Sequence, residues 1–142
     1  MNASNLQKLI ADWQPRLSHI TEADSLSIAG TKWTRKQVLG HLIDSAANNH
    51  QLFVRLQQGN LVGFPDYDQE LWVNAGNYNL NTWGNLVDLW SQYNRQLAIV
   101  IENIDPNCKS NVWEDSSFKL EYLIDDYIHH LLHHLEQLDK RS

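Results

Sequence analysis

The chain has 142 residues, a mass of 16.5 kDa and a net charge of −6, with a single cysteine. This length fits one domain spanning residues 1–142, and a lone cysteine excludes a disulfide-stapled secreted scaffold. The acidic balance argues against a nucleic-acid partner, and no apolar stretch approaches the roughly 18 residues of a membrane span, so we expect a cytoplasmic protein without nucleic-acid or membrane partners.

Helical periodicity dominates the first half of the chain. Apolar residues at three- and four-residue spacing predict a first helix over about Asn5–Ile20, which Pro15 would kink or end early. A second helix is predicted to follow the N-cap Thr34 and to end near Gly59. Residues 60–80 are rich in Gly, Pro and Asn, which predicts a long loop that folds back on the core.

The second half of the chain continues this pattern. We expect a helical turn around Gln69–Ala75 inside the loop and a third helix from the caps Asn81 and Thr82 to Asp105-Pro106. Residues 107–115 have room for a short hairpin.

A fourth helix is predicted from a cap at Ser116 or Ser117 to about Leu138. Four amphipathic helices joined by two long connections, with almost no strand signal, predict an all-α fold. Within that class, a four-helix bundle fits best.

Four of the seven histidines stand within six residues of the fourth predicted helix, as the pairs His129/His133 and His130/His134. Residues four apart share a helix face, so either pair is able to reach one metal ion. His130 and His134 lie roughly 55–95° from the direction of the apolar face, whereas the other pair points roughly 155° or more away. His130 and His134 are therefore the candidate ligands.

Two histidines do not make a metal centre, because a catalytic zinc site usually has three protein ligands and an open position. The residues alone leave the third ligand open among His19, His41 and His50. On helical periodicity His50 lies roughly 50° from the apolar direction and His41 roughly 130°, which favours His50. Apolar residues flank the His41 side, however, so a neighbouring helix could cover it.

Three segments resemble one known family. Lys32–Thr34 followed by Val38–Ser45 resembles the second helix of the DinB-like superfamily, most closely its YfiT-like branch of metal-dependent hydrolases. Pro65–Trp72 resembles the aromatic and acidic loop of that branch. Tyr127–Leu138 resembles its closing helix, in which two ligand histidines four apart precede a Gln-hydrophobic pair. The resemblance covers nearly the whole chain in the same order.

The resemblance implies a metal site formed by His41, His130 and His134, and so chooses His41 over His50. It also implies a four-helix bundle with a long crossover and a divalent ion, most often zinc or nickel. Related families use such a site to activate low-molecular-weight thiols, whereas the YfiT-like branch is described as hydrolytic. Two reactions on a small-molecule substrate are therefore expected as alternatives: hydrolysis by an activated water, or S-transfer from a thiol cofactor. Dimerisation through bundle faces, giving a homodimer, is plausible for this family, although no residue here establishes it.

Four further residues are candidates for supporting roles. Asp44 follows His41 by three residues and Asp126 precedes His130 by four, so each could orient a histidine or relay a proton as a catalytic residue. Both acids could equally be ordinary solvated residues of a helix. Tyr67 and Trp72 are expected to wall the pocket and bind a cofactor, with plain loop packing as the alternative.

A non-catalytic protein is the competing class. It would be a metal-binding or dimer-forming helical bundle, and the absence of an obvious general base next to the predicted metal is consistent with it. Turnover by a metal-loaded preparation would distinguish the two classes.

Overall fold

The computed structural model describes residues 2–30 and 32–140. The helices are α1 (Ala3–Ser18), α2 (Glu22–Ser25), α3 (Arg35–Arg55), α4 (Gln69–Gly76), α5 (Trp83–Glu102) and α6 (Leu120–Asp139). Short 3₁₀ turns cover Tyr78–Leu80 and Pro106–Cys108, and β1 (Val112–Trp113) pairs antiparallel with β2 (Phe118–Lys119).

The four long helices form a bundle, in which α5 and α6 each pack against both α1 and α3. Their apolar faces meet in one core, whose largest fully buried side chains include Trp90, Phe53, Leu39 and Leu131. Residues 56–82, which carry α4, connect α3 to α5, and residues 103–119, which carry the hairpin, connect α5 to α6. The all-α four-helix bundle with two long connections is thus confirmed. No helix in residues 2–30 and 32–140 is long and apolar enough to cross a membrane.

Local sequence explains where α3 and α5 begin. The Thr34 hydroxyl accepts a hydrogen bond from the Gln37 amide, and the Gln37 side chain accepts one from the Thr34 amide, which forms a capping box. Thr82 caps α5 through the amide of Asn85. Both caps were predicted, and the helical turn predicted around Gln69–Ala75 is present as α4, Gln69–Gly76.

The first helix differs from its prediction at both ends. It begins at Ala3, because Asn2 caps it and exchanges a capping box with Asn5. It does not end early at Pro15 but continues to Ser18. An interior proline costs about 3 kcal/mol. The buried side chains of Trp13 and Leu17 stabilise the helix by about 1.5–3 kcal/mol each, which together equals or exceeds that cost.

The start of α6 was predicted wrongly. Neither Ser116 nor Ser117 caps it, because the chain first forms β2 and enters the helix only at Leu120. The amides of Leu120 and Glu121 instead donate to the backbone carbonyls of residues 111 and 109, which satisfies the helix end without a side-chain cap. The hairpin lies at residues 112–119 rather than 107–115. The short helix α2 was not predicted, since one turn is too short to show a periodicity.

Candidate metal centre

Three histidines from two helices meet at one end of the bundle. His41 of α3 and His130 and His134 of α6 each offer a ring nitrogen, and these atoms all lie within 4.8 Å of one another. The His41 ring centroid is 5.9 Å from that of His130 and 4.9 Å from that of His134. The structure therefore brings together the three residues that the resemblance implied.

His41 is buried because α3 is covered on two sides. Residues 38–46 of α3 are all buried, since α4 and the 78–80 turn pack on the side opposite the bundle core. His41 itself is 1% exposed. Burial lowers the pKa of its imidazole from 6.5 to about 4, and the nearby His134 and His130 add to the effect. The ring is therefore neutral at neutral pH.

The two nitrogens of the His41 ring have different surroundings. Nδ1 lies 3.2 Å from the hydroxyl oxygen of Tyr67, whereas Nε2 is buried and has no hydrogen-bond partner. A buried polar atom without a partner is uncommon in folded proteins and calls for an explanation such as an ion.

His130 and His134 stand one helical turn apart and face each other, with 3.0 Å between their Nε2 atoms. Desolvation lowers the pKa of both imidazoles. The negative charge of Asp126 opposes this effect at His130, and the hydrogen bond that His134 donates to Gln137 opposes it at His134. Both rings consequently favour the neutral form that a metal ion requires of a ligand.

Gln137 determines which nitrogen of His134 carries the proton. Its amide Nε2 donates to the backbone carbonyl of Ala29 at 2.7 Å, so its oxygen is the atom 3.1 Å from Nδ1 of His134. An amide oxygen only accepts, so Nδ1 carries the hydrogen and Nε2 keeps its lone pair facing the cluster. Gly30 allows this contact, because a Cβ there would overlap the Gln137 amide.

The donor set fits a divalent transition metal. Imidazole nitrogens suit zinc, nickel and copper, and a tetrahedral ion with bonds of about 2.0–2.1 Å holds its nitrogens about 3.3 Å apart. One nitrogen from each ring lies within 4.8 Å of the others, and Nε2 of His41 is buried without a partner, so small side-chain movements suffice for binding. Three neutral ligands would leave the ion its full charge.

The remaining histidines lie elsewhere. His50, which periodicity favoured, places Nδ1 2.9 Å from the Tyr93 hydroxyl and is not part of the cluster. His129 and His133 are exposed on the outer face of α6, as predicted. His19, at the end of α1, places its Nδ1 2.7 Å from the carbonyl of Pro15.

The two predicted acids occupy different environments. Asp44 is 5% exposed and accepts a hydrogen bond from the Tyr78 hydroxyl at Oδ1, while its Oδ2 is buried without a partner. Burial raises its carboxyl pKa, and the bond from Tyr78 opposes that rise. Asp126 is exposed and acts on the His130 ring through its charge.

Aromatic side chains line one side of the cluster. The Tyr67 ring stacks on His41 with 6.2 Å between centroids, and the Trp33 ring centroid lies 5.3 Å from that of His41. Trp72 contacts Tyr67 edge-on at 5.6 Å and is 39% exposed. Trp72 also lines an open cavity of about 470 Å³ together with Asp44. Tyr67 is thus adjacent to the histidines, and Trp72 lies one side chain further out.

A family comparison matches this architecture. The model of the DinB superfamily matches residues 5–138. The chain belongs to the DinB superfamily. A search of curated proteins finds no match.

A solved structure shares the DinB fold of this chain. YfiT from Bacillus subtilis, described as a probable metal-dependent hydrolase with an unusual four-helix bundle topology, superposes with a TM-score of 0.82 at 17% identity. The match covers 96% of this chain and 81% of that one. At this identity the likeness establishes the fold.

Two residues of this DinB site were not assigned roles from the sequence. Gln137 follows His134 by three residues, a spacing that places both side chains on one helix face and could have revealed the contact. Tyr78 had no comparable signal. Its ring fits against Gly40 and Gly76, where a Cβ at either position would overlap it, and only the fold brings these residues together.

Proposed function

We propose that the chain is a metal-dependent enzyme in which His41, His130 and His134 bind one divalent ion, zinc or nickel. The observation that carries the proposal is the convergence of three ring nitrogens, one from each histidine, within 4.8 Å, beside the buried and unpartnered Nε2 of His41. The probable metal-dependent hydrolase activity stated for YfiT supports the same assignment. The proposed substrate is a small molecule with an electrophilic centre.

An ion held only by neutral imidazoles supplies Lewis-acid chemistry, which polarises a carbonyl or activates a water or a low-molecular-weight thiol near neutral pH. Gln137 keeps the proton of His134 on Nδ1 and so presents the other nitrogen to the cluster. The negative charge of Asp126 raises the pKa of the His130 ring. We therefore assign Asp126 the role of relaying a proton at His130. Tyr67 and Trp72 supply an aromatic wall for the substrate or thiol.

Metal content is the first test. We expect one equivalent of zinc or nickel per chain, measured by elemental analysis after exposure to each metal, and none in His134→Ala. His129→Ala is the matched control, because it removes a histidine from the same helix on its exposed face. Equal metal content in both variants would overturn the assignment.

Turnover is the second test and separates the two reactions. Hydrolysis predicts that the metal-loaded protein cleaves an activated ester without added thiol. S-transfer predicts product only when a thiol and an electrophile are both present. His130→Ala should abolish whichever activity is found. The alternative is a non-catalytic metal-binding bundle. In that case the protein binds metal and its melting temperature falls on chelation, but it turns over neither substrate.

A further inference from the structure

A buried charged side chain, that of Arg35, stands at the start of α3. It is 6% exposed, and within residues 2–30 and 32–140 its guanidinium donates only to neutral acceptors. Nε donates to the carbonyl of Leu138 at 3.0 Å, and one terminal nitrogen donates to the carbonyl of Lys140. The other terminal nitrogen donates to the hydroxyl of Ser27 and, at 3.4 Å, to the carbonyl of Ile28. Burying a charge is costly unless hydrogen bonds compensate it, and here four bonds do so.

These four hydrogen bonds join two separate parts of the fold. The carbonyls of Leu138 and Lys140 lie at the C-terminal end of α6, where a helix leaves its last carbonyls without partners inside the helix. Ser27 and Ile28 belong to the short connection between α2 and α3. A guanidinium is planar and its five donors have fixed directions, so it holds both sets of acceptors in a fixed relative position.

A second bridge between the same two parts orients a proposed metal ligand. Gln137 donates its amide hydrogen to the carbonyl of Ala29 at 2.7 Å, and its oxygen accepts from Nδ1 of His134 at 3.1 Å. Gln137 and Ala29 each stand next in sequence to a residue whose carbonyl accepts from Arg35. The two bridges are therefore neighbours, and a change in the spacing that Arg35 sets would also move the partners of His134.

The segment that Arg35 holds against α6 is also tied to an aromatic neighbour of the cluster. The Arg35 amide donates to the Ser27 carbonyl at 3.0 Å, and the Ala29 amide donates to the Trp33 carbonyl at 2.8 Å. The Trp33 ring packs near His41, with the 5.3 Å centroid separation given above. This segment thus connects to both helices that supply the histidines, and Arg35 fixes where it meets α6.

We propose that Arg35 is a positioning residue for the metal centre and acts through Gln137 on His134. By fixing the end of α6 against the segment before α3, Arg35 keeps the Gln137 amide seated between Ala29 and His134. This arrangement keeps the imidazole hydrogen on Nδ1 and directs the lone pair of Nε2 at the cluster. The inference rests on metal binding by the proposed site, and it adds a support that lies outside the cluster itself.

A double-mutant cycle tests whether Arg35 acts through Gln137. Zinc affinity is measured by competition with a chromophoric chelator for the wild type, Arg35→Gln, Gln137→Leu and the double variant. Arg35→Gln should bind zinc about tenfold more weakly, and Gln137→Leu about 10- to 100-fold more weakly. The double variant should be no weaker than Gln137→Leu, because without the Gln137 amide Arg35 has nothing left to position. Losses of affinity that multiply would refute the action through Gln137.

Arg16 provides the matched control. Its guanidinium also contacts the end of α6, through the carboxylate of Asp139, but this pair is exposed and does not involve residues 27–29. Arg16→Gln should therefore leave zinc affinity unchanged. An equal loss in Arg16→Gln and Arg35→Gln would assign the effect to any disturbance at the end of α6 and overturn the proposal.

Thermal melting of each metal-free variant shows whether it folds. If Arg35→Gln does not fold, Arg35→Lys replaces it in the cycle. Lysine keeps the positive charge but lacks the planar fork that reaches both segments at once, so the same tenfold loss is expected. Wild-type zinc affinity in Arg35→Lys would then refute the positioning role.

The position of the His134 hydrogen separates positioning from a purely structural role. In the metal-free wild type at pH 7.5, ¹H–¹⁵N NMR of the ring should place this hydrogen on Nδ1. In Arg35→Gln the ring should populate both neutral tautomers, whereas Arg16→Gln should match the wild type. A hydrogen that stays wholly on Nδ1 in folded Arg35→Gln would refute the role of Arg35 and leave the metal site intact. Failure of the wild type to bind zinc would overturn the proposed function, and this inference with it.

Discussion

Acidification should destabilise the metal-free protein through His41. Burial lowers the pKa of this ring to about 4, against the ordinary value of 6.5 for a solvated histidine. Between these values the unfolded chain binds a proton that the folded chain does not. The free energy of unfolding therefore falls as the pH drops from about 6.5 towards 4, and the contribution is complete below the folded-state value.

The size of the effect follows from the two pKa values. The full shift corresponds to roughly 3 kcal/mol, and at pH 5 the linkage relation gives about 2 kcal/mol of lost stability from His41 alone. The ring is 1% exposed, so solvent screening does not reduce this figure. The lowered pKa values of His130 and His134 act in the same direction. The raised pKa of Asp44 acts in the opposite direction, because the folded state holds that proton to a higher pH.

Urea unfolding of chelator-treated protein at pH 7.5 and pH 5 measures the loss. We expect His41→Gln, whose side chain does not titrate, to lose about 2 kcal/mol less than the wild type between these two pH values. His129→Gln is the matched control, since its ring is exposed on α6 and hydrated in both states. It should reproduce the wild-type loss. An equal loss in His41→Gln and the wild type would refute the link between burial of this ring and acid sensitivity.

The remaining predictions concern metal binding. Gly30→Ala should weaken zinc binding about tenfold by displacing Gln137 from His134. Gly63→Ala makes the same change at another positive φ with open space around it, so an equal effect there would assign the loss to backbone strain. Gln137→Leu should weaken zinc binding by about 10- to 100-fold in the same affinity assay, and unchanged affinity would remove its orienting role. His50→Ala should retain one equivalent of metal by elemental analysis. Loss of the metal from this variant would indicate that His50 is a ligand.

Much of the fold was predictable because local rules decide it. Apolar spacing located the four long helices, and Thr34 and Thr82 cap theirs as hydroxyl residues do. The same angular reasoning favoured His130 and His134 over the other pair on α6, and these two are the histidines that meet His41 in the structure. Predictions failed where distant backbone groups supply the hydrogen bonds, as at Leu120, whose amide donates to the carbonyl of residue 111.

His41 shows why periodicity could not find the third histidine. The method assumes that a helix buries one face, and it therefore placed His41 on the solvent side of α3. Helix α4 and Tyr78 cover that side, and they come from the long connection that has no periodicity of its own. Helix α4 and Tyr78 thus form a second layer over α3. The match of His41 and its neighbours to a family motif carried information about this second layer, which the pattern of a single helix lacks. Asp44, one turn further along α3, is buried for the same reason.

The second layer over α3 links stability to the proposed chemistry. Desolvation by this layer keeps His41 unprotonated at pH values where a free histidine is partly charged, so a metal ion meets a ready lone pair without displacing a proton. The same desolvation makes the metal-free fold sensitive to acid. An ion on Nε2 would remove both the unpartnered atom and the acid-sensitive lone pair. Zinc should therefore raise the melting temperature of the wild type at pH 7.5 and leave that of His41→Gln nearly unchanged.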